Sequence, residues 1–419
     1  MRIWYLHWGW WASMNKSVPD EWTSVKLGDV AEEISDRVDN PSKSGYDRFV
    51  GLEHLDSGEL TVRRWGSTAD LLSAMKLFKN GDILIGRRNA YLKRASKAEF
   101  DGVCSGDAYV VREKPGTIAE GLLPIILNSD SFWDYTIAHA SGTMSKRAKW
   151  RDLAEYSFLL PSPDEQRHIA TMLWAAEDCI VKGERFVAAA ERAKQVLMQE
   201  LFSKGIGHTE FQQVKGFDIV PKGWNVHLLS EISSVKTGPF GAQLHQKDYV
   251  DVGSPIITVE HLGDISVLHE NLPLVSDHDK KRLSQYILNE GDIVFSRVGS
   301  IDRNCLITSK EAGWLFSGRL LRVRSDKEKV ISTYLNSYFN FEPFKQRVRN
   351  VAVGGTMPCL NTKLLSNISI PLPPLPEQRQ IAGILTRCDE TIAAARANVG
   401  AAKALKMKMI NEMLGAKTN

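Results

Sequence analysis

The chain has 419 residues, of which 43% are hydrophobic and 25% charged, and no apolar run approaches the roughly 18 residues of a membrane span. Its formal charge is only +3, so nucleic-acid binding would need locally concentrated basic residues. Five scattered cysteines without a Cys-x-x-Cys pair indicate neither a disulfide framework nor a zinc site, and they fit a reducing cytoplasm. The length predicts two or three domains.

Residues 1–17 are predicted to be an atypical N-terminal extension. They lack the basic start and continuous apolar stretch of a signal peptide. One interpretation is an over-extended start, with Met14 rather than Met1 as the true first residue. The alternative is a small aromatic cap on the first domain. Four tryptophans lie in this segment: Trp4, Trp8, Trp10 and Trp11.

Residues 18–162 are predicted to form a mixed α+β domain. Short apolar runs flanked by glycine, asparagine and aspartate, such as 82–85 and 108–111, are typical of strands. Residues 122–140 are predicted to be helical. The pattern does not determine the strand order.

A long helix is predicted over 163–205. Asp164 and Glu165, in a cluster of prolines, suit the electropositive start of a helix. From Ile169 onward, residues of one seam recur in alternating steps of four and three, the heptad pattern of a coiled coil. The main apolar positions of this seam are Ile169, Leu173, Ile180, Val187, Leu197 and Leu201.

The second half of the chain repeats the first. Four blocks return in the same order, which predicts two related domains. The block with Glu165, Gln166 and Arg167 returns at 377–379. The other blocks are VPDEW (18–22), GDIL (81–84) and GTM (142–144), which return as VPKGW (220–224), GDIV (291–294) and GTM (355–357).

Residues 217–374 are therefore predicted to be a second α+β domain, with a helical stretch at 330–348, and 375–415 a second long helix. The helices share a narrow seam in one register, including a misfit lysine (Lys194 and Lys406), so we expect them to pair with each other. The alternative is that each helix packs on its own domain. The second seam consists mainly of Ile381, Leu385, Ile392, Val399, Met409 and Met413.

The sequence contains no convincing enzymatic motif. Phosphate loops, dinucleotide-binding turns, nucleophile elbows and His-Glu-x-x-His helices are absent, as is the polar-Pro-Pro-aromatic loop of adenine methyltransferases. The chain is therefore predicted to be non-catalytic and to hold no metal. Four histidines lie near one another in sequence, but their spacings fit no common metal template: His245, His261, His269 and His278.

Basic and polar residues in turn-like segments are candidate DNA contacts. Arginine and lysine neutralise phosphates, and arginine and asparagine also read base edges. Arg87 and Arg297 follow their Gly-Asp pairs at the same interval, which favours a shared role. For each single residue, a solvated charged face is the alternative. The candidates are Arg87, Arg88, Asn89, Lys93, Arg94, Lys146, Arg147 and Lys149 in the first half, and Arg297, Arg303, Lys345, Arg347 and Arg349 in the second.

A glycine-rich loop at 236–245 provides four more candidates. It either approaches a DNA backbone closely or forms a turn that only glycine geometry permits, and both interpretations stay open. Its candidate contacts are Lys236, Phe240, Gln243 and His245.

The paired Pro-x-x-x-Glu-Gln-Arg blocks, each opening a heptad helix after a mixed segment, resemble type I restriction-modification specificity subunits over about 18–414. The resemblance implies that each mixed segment is a target recognition domain for one half of a bipartite DNA site. It also implies that the helices form an antiparallel coiled coil that separates the domains. Because the two segments differ greatly outside the shared blocks, the site should be asymmetric.

The resemblance also implies partners. Modification subunits would bind S-adenosylmethionine and methylate adenine, and restriction subunits would use ATP and Mg to translocate and cleave DNA, so this chain needs no cofactor of its own. The coiled coil and the ends of the recognition domains would be the docking surface for modification subunits, and our hypothesis is that Lys194 and Lys406 are quasi-equivalent contacts there. No membrane partner is expected. The competing hypothesis is a non-catalytic coiled-coil adaptor whose two α+β domains bind proteins.

Overall fold

The computed structural model describes residues 22–142, 146–263, 266–352 and 358–414. The predicted N-terminal extension and the second Gly-Thr-Met block lie outside these residues, as do the threonine and methionine of the first block. The chain divides into two compact units, which we call unit 1 (1–185 with 396–419) and unit 2 (186–395). Among the described helices, none is long and apolar enough to span a membrane.

The elements of unit 1 are β1 (Thr23–Lys26), α1 (Leu27–Val30), β2 (Ala31–Ile34), β3 (Arg37–Val38), β4 (Arg48–Val50), β5 (Gly66–Ser67), β6 (Met75–Phe78), β7 (Ile83–Gly86), β8 (Ala95–Lys97), β9 (Gly102–Cys104), β10 (Ala108–Glu113), α2 (Leu122–Ile126), α3 (Asp130–His139), α4 (Trp150–Ala154) and β11 (Ser157–Leu160), followed by the long helix α5 (Pro163–Lys204). Within the described residues, the mixed part of this unit contains two antiparallel sheets, β1-β11 and β2-β10-β7-β8, and one mixed sheet, β3-β6-β9-β4-β5, in which β4 pairs with β9 in parallel.

The elements of unit 2 are β12 (Phe211–Val214), β13 (Phe217–Pro221), β14 (Asn225–Leu228), α6 (Leu229–Ile232), β15 (Ser233–Thr237), β16 (Tyr249–Val250), β17 (Ser254–Ile257), β18 (Leu274–Val275), α7 (Asp277–Arg282), β19 (Ile293–Ser296), β20 (Asn304–Leu306), β21 (Leu315–Phe316), β22 (Leu320–Ser325), α8 (Ser332–Phe339), α9 (Glu342–Val351), α10 (Thr362–Ser366), β23 (Ser369–Leu372) and the long helix α11 (Leu375–Leu414). They repeat much of the topology of unit 1. Pair β14-β23 matches β1-β11, sheet β15-β22-β19-β20 matches β2-β10-β7-β8, and the parallel pair β17-β21 matches β4-β9. The third sheet has the order β16-β18-β17-β21, which differs from that of unit 1, and the hairpin β12-β13 has no counterpart among the described residues of unit 1.

The predicted α+β class is thus confirmed, but two stretches predicted as single helices are each broken in two. The first is interrupted before Ser129, whose hydroxyl caps α3 by accepting the Phe132 amide hydrogen. The second is interrupted before Pro343, in the first turn of α9, because a proline cannot continue a preceding helix. Local capping chemistry therefore decides where these helices end.

The repeated Gly-Asp-Ile block forms a tight turn before a central strand. In unit 1, Gly81 has a φ of 97°, a conformation that favours glycine. The Asp82 carboxylate is 1% exposed, accepts the Lys79 amide hydrogen at 2.8 Å and binds the Arg112 guanidinium with two contacts of 2.7 Å. The aspartate thus joins the turn before β7 to Arg112 on the neighbouring strand β10.

Unit 2 builds the same turn. Gly291 has a φ of 88°, and Asp292 is 1% exposed. Its carboxylate accepts the Asn289 amide hydrogen at 2.8 Å and two bonds from Arg324 at 2.7 Å. The block is repeated because both units build this turn on a buried aspartate paired with a partly exposed arginine.

We expect Asp82→Ala and Asp292→Ala to destabilise their own units by similar amounts, about 2–3 kcal/mol each, because each removes a paired charge-assisted bond and a backbone acceptor. Hydrogen exchange measured by mass spectrometry, unit by unit, checks this. An Asp82→Ala chain that loosens only unit 2, or neither unit, would contradict the equivalence.

The repeated glutamine joins the start of each long helix to its mixed segment. Gln166 donates to the Pro161 carbonyl and accepts the Ala119 amide hydrogen, both at 2.8 Å. Gln378, at the equivalent place, donates to a proline carbonyl at 2.8 Å and accepts the Ile331 amide hydrogen at 2.9 Å. Both side chains are buried. This explains the Glu-Gln-Arg blocks as structural joints.

Inside each unit, segments of the two long helices run antiparallel. In unit 1, Glu177 binds Lys406 and Glu184 binds Lys403, the latter at 2.6 Å. Gly183 lies so close to the other helix that an added Cβ would be 2.6 Å from Cγ2 of Val399. The predicted antiparallel helix pairing is confirmed.

Most of the predicted seam is buried. The structure adds one equivalent position to each helix, Met198 and Ile410, which join the cores of unit 2 and unit 1 respectively. Four seam positions are half-buried: Val187, Leu197, Val399 and Met409. Eight are buried: Ile169, Leu173, Ile180, Leu201, Ile381, Leu385, Ile392 and Met413.

The misfit lysines form quasi-equivalent ion pairs. Lys194 binds Asp389 in unit 2, and Lys406 binds Glu177 in unit 1. The two lysines occupy equivalent positions of the two long helices, and so do the two acids. Lys406 is 3% exposed and also donates to the Gly58 carbonyl at 2.7 Å. The hypothesis that both lysines contact modification subunits is therefore corrected for Lys406, whose ammonium group lies inside unit 1.

Candidate nucleic-acid interface

In unit 1 the fold brings together two basic clusters that are far apart in the sequence. The Arg87 amide donates to the Asp107 carbonyl at 3.0 Å, and the Arg87 carbonyl accepts the Ala148 amide hydrogen at 2.9 Å. Arg88 and Arg147 form a β-bridge. These backbone bonds hold the side chains of Arg87, Arg88, Asp107 and Arg147 side by side, and we call this set the unit 1 frame.

Three guanidinium groups of the unit 1 frame surround one carboxylate. The Asp107 oxygens lie 3.8 Å from Arg87, 3.6 Å from Arg88 and 3.3 Å from Arg147. The Arg88 and Arg147 side chains are 46% and 49% exposed, whereas Arg87 is more enclosed and lies over the Tyr109 ring. Arg88 and Arg147 therefore reach solvent from a backbone that is fixed on both sides.

The loop between β7 and β8 continues this surface. Asn89 and Lys93 have φ values of 56° and 47°, in the left-handed region that non-glycine residues rarely occupy. Between them, Tyr91 is 67% exposed. Lys93 is tethered to Asp130, with its Nζ 2.5 Å from the carboxylate. The strained backbone thus exposes the Tyr91 ring, which was not predicted from the sequence to contact DNA.

The remaining candidates of unit 1 lie around this loop. The Asn89 amide donates to the Lys146 carbonyl at 3.2 Å, so these two predicted residues are adjacent. Lys146 and Lys149 are exposed, whereas Arg94 is half-buried and its carbonyl accepts the Gly86 amide hydrogen at 2.9 Å.

Unit 2 contains the same backbone arrangement with other side chains. The Arg297 amide donates to the Arg319 carbonyl at 2.9 Å, and the Arg297 carbonyl accepts the Leu360 amide hydrogen at 2.8 Å. Val298 and Cys359 form the matching β-bridge. We call Arg297, Val298, Arg319 and Cys359 the unit 2 frame. Arg319 is exposed and, like Asp107, was not predicted from the sequence.

The other predicted contacts of unit 2 are not gathered at this frame alone. Arg303 is half-buried and follows the frame loop, where its carbonyl accepts the Ser296 amide hydrogen at 2.9 Å. The Arg347 guanidinium lies 4.5 Å from the centre of the Phe217 ring, and Arg349 binds Asp302 and Glu342. These two arginines stabilise unit 2 internally, and their contact with DNA, like that of half-buried Lys345, stays a prediction.

The glycine-rich loop combines exposed and tethered side chains. Phe240 is 63% exposed, and His245 is exposed. The Gln243 side chain accepts the Tyr286 hydroxyl hydrogen at 2.8 Å. Lys236 donates to the Gln285 side chain at 2.7 Å, and burial, reinforced by Arg322 and Arg324, lowers the pKa of its ammonium group.

Gly238 is needed for close packing rather than for a left-handed turn. A Cβ added there would lie 2.2 Å from the Ser317 carbonyl oxygen, whereas Gly241 has a φ of +58° and open space around it.

We expect Gly238→Ala to destabilise unit 2 by about 1–3 kcal/mol and Gly241→Ala by about 1 kcal/mol. Urea unfolding measures both. Unchanged stability of Gly238→Ala with weaker DNA binding would instead favour close approach to a DNA backbone.

A further repeated motif was not predicted from the sequence. Glu53-His54-Leu55 and Glu260-His261-Leu262 each follow a strand, and each histidine ring accepts the amide hydrogen of the residue three positions earlier. The two bonds measure 2.9 and 3.2 Å. His261 is thus a turn cap, and within the described ranges no group of His, Cys, Asp and Glu is arranged to hold a metal ion.

Comparison with known proteins places these features in context. Residues 221–399 match the family described as "Type I restriction modification DNA specificity domain". The Type I restriction enzyme MjaVIII specificity subunit of Methanocaldococcus jannaschii is 22% identical, over 96% of this chain and 93% of the relative. The Type I restriction enzyme EcoDI specificity subunit of Escherichia coli is 27% identical, over 40% of this chain and 38% of the relative.

Solved structures share the fold. The S subunit of a type I restriction-modification system from M. genitalium has a TM-score of 0.59 at 13% identity, covering 96% of this chain and 98% of the other. A chain from a study of complex assembly and conformational transition of the type I R-M system has a TM-score of 0.56 at 20% identity, with 94% and 98% covered. Both likenesses cover most of this chain.

Proposed function

We infer that this chain is the DNA specificity subunit of a type I restriction-modification system. It recognises a bipartite, asymmetric DNA site and directs adenine methylation or ATP-dependent cleavage by partner subunits. The main support for this function is the frame that both units repeat. Two units of related topology present different side chains on the same backbone arrangement, as recognition of two unlike half-sites requires.

The chemistry of both frames suits duplex DNA. Arginines on a fixed backbone neutralise phosphates and donate in pairs to base edges in the major groove. Exposed Tyr91 and Phe240 add aromatic surface beside the basic residues. The two long helices, of 42 and 40 residues, are proposed to set the unspecified gap between the half-sites.

The reaction itself is assigned to partners. Modification subunits bring S-adenosylmethionine, and restriction subunits bring ATP and Mg, while this chain supplies the DNA address and no catalytic group. The modification subunits are proposed to dock on the helix pair and the adjoining ends of the recognition domains. Neither role requires a cofactor in this chain.

The test is to co-express the chain with the modification subunits of its own system and map methylated adenines in host DNA by single-molecule sequencing. We expect a split motif that appears only with this chain. Exchanging the mixed segment of one unit for that of another specificity subunit should change one half of the motif and leave the other intact.

A stable complex that writes no split motif would contradict this function and favour a protein-binding adaptor. Salt dependence separates the two further. Binding of DNA weakens steeply as salt rises because counterions are released, whereas an apolar protein interface responds far less.

A further inference from the structure

The two frames are equivalent in backbone and different in chemistry. The hydrogen bonds that join Arg87 to residues 107 and 148 measure 3.0 and 2.9 Å, and those that join Arg297 to residues 319 and 360 measure 2.9 and 2.8 Å. The same β-bridge links the neighbouring positions in both units. Residue 107 in unit 1 and residue 319 in unit 2 therefore occupy one structural place, which holds an aspartate in the first and an arginine in the second.

The exchange preserves charge while it changes the hydrogen-bonding pattern. The unit 1 frame holds three arginines and one aspartate, and the unit 2 frame holds two arginines, so each set carries a formal charge of +2. Equal charge gives both frames a similar attraction to phosphates. Only the unit 1 frame combines carboxylate acceptors with guanidinium donors. The two frames therefore differ in which hydrogen-bonding groups of a base pair they can bind.

We propose that Asp107 and Arg319 are specificity-determining residues and that the unit 1 frame reads a G·C base pair in its half-site. This inference rests on the proposed function. Asp107 acts as a positioning residue for the arginines and as an acceptor of its own. Arg319 replaces that acceptor by a donor in the other half-site.

The distances support a positioning role. Charge-assisted hydrogen bonds between nitrogen and carboxylate oxygen are about 2.7–2.9 Å long. The separations of 3.3, 3.6 and 3.8 Å around Asp107 exceed this, so the carboxylate attracts the guanidiniums without a short bond to any of them. A carboxylate accepts hydrogen bonds from base amino groups but cannot donate to a phosphate, so Asp107 can act only at a base edge.

The base pair follows from the donors and acceptors. In the major groove, guanine offers two acceptors, which arginine binds in a paired fashion, and cytosine offers an amino donor, which a carboxylate accepts. An A·T pair lacks two adjacent acceptors for the guanidinium on one base. Arginine beside aspartate is thus the complement of G·C.

The experiment uses the full chain in its methylating complex, with three variants and methylation mapping as the readout. For Asp107→Asn we expect discrimination at one G·C position of one half-site to fall about 10-fold, with the other half-site unchanged. The matched variant Arg319→Gln should alter only the other half-site. Asp107→Glu keeps the carboxylate and should retain G·C at the affected position.

Four results overturn the inference: an Asp107→Asn motif identical to the wild-type motif, changes in both half-sites, an affected position that holds an A·T pair, or loss of folding in both Asp107 variants, which would make the residue structural. A wild-type complex that writes no split motif contradicts the proposed function instead. The two failures are therefore distinguishable.

Discussion

Replacing Glu177 by leucine is expected to lower the free energy of unfolding of unit 1 by about 3–5 kcal/mol, because removal of one partner leaves a buried charge uncompensated. The Glu177 carboxylate and the Lys406 ammonium are each 3% exposed, and Arg63 binds the same carboxylate. Without Glu177, Lys406 keeps its hydrogen bond to the Gly58 carbonyl but has no carboxylate partner among the described residues. Urea unfolding followed by circular dichroism measures the loss.

The repeat supplies a matched control for this variant. Asp389→Leu removes the equivalent acid in unit 2, but Lys194 is 17% exposed and water can solvate its ammonium group. We expect the smaller loss of about 1–2 kcal/mol. Equal losses at the two positions would show that burial does not set the cost.

A double replacement separates the pair from the packing around it. In Glu177→Leu with Lys406→Met, both charges are gone and apolar groups fill the seam, so most of the lost stability should return. Arg63 retains Glu59 and Glu184 as partners. If the stability losses of Glu177→Leu alone and Lys406→Met alone simply add in the double variant, the buried ion pair is not the reason for the effect.

The combined variant Arg88→Ala with Arg147→Ala is expected to weaken specific DNA binding by about 100-fold or more. Each arginine that reads a base or neutralises a phosphate contributes about 1–3 kcal/mol, and the two side chains leave the unit 1 frame together. Fluorescence anisotropy with a DNA duplex that contains the motif found by methylation mapping, at several salt concentrations, measures the affinity and its salt dependence.

A pair of arginines outside the frame controls for net charge. Arg64 and Arg151 have side chains that are 53% and 78% exposed, and neither belongs to a frame. Arg64→Ala with Arg151→Ala removes the same charge and should change affinity only a few-fold. An equal loss in both double variants would mean that overall charge, not the frame, governs binding.

The repeat made much of the fold predictable from sequence. Heptad spacing after proline clusters located the long helices, and matched blocks indicated two related α+β domains. Helix interruptions were missed because they depend on single capping residues such as Ser129. The Glu53-His54-Leu55 motif could also have been predicted, since Glu260-His261-Leu262 repeats it in the sequence.

The candidate site was less accessible to sequence reasoning. Basic clusters can be read from the chain, but nothing in the sequence indicates that Asp107 lies among arginines at 87, 88 and 147. That proximity arises from a β-bridge between distant loops. The same limit explains Arg347 and Arg349, whose internal partners become visible only in three dimensions.

The spacing of the seam ion pairs has a consequence for how such a chain can arise. Each long helix carries its acid at the same interval before its lysine, at 177 and 194 in one helix and at 389 and 406 in the other. An antiparallel copy of either helix therefore presents the charges that the helix itself needs, and the interface is self-complementary. A gene for one half would encode a chain able to pair with its own duplicate. Fusion of two such genes would then free the mixed segments to diverge without any change at the seam.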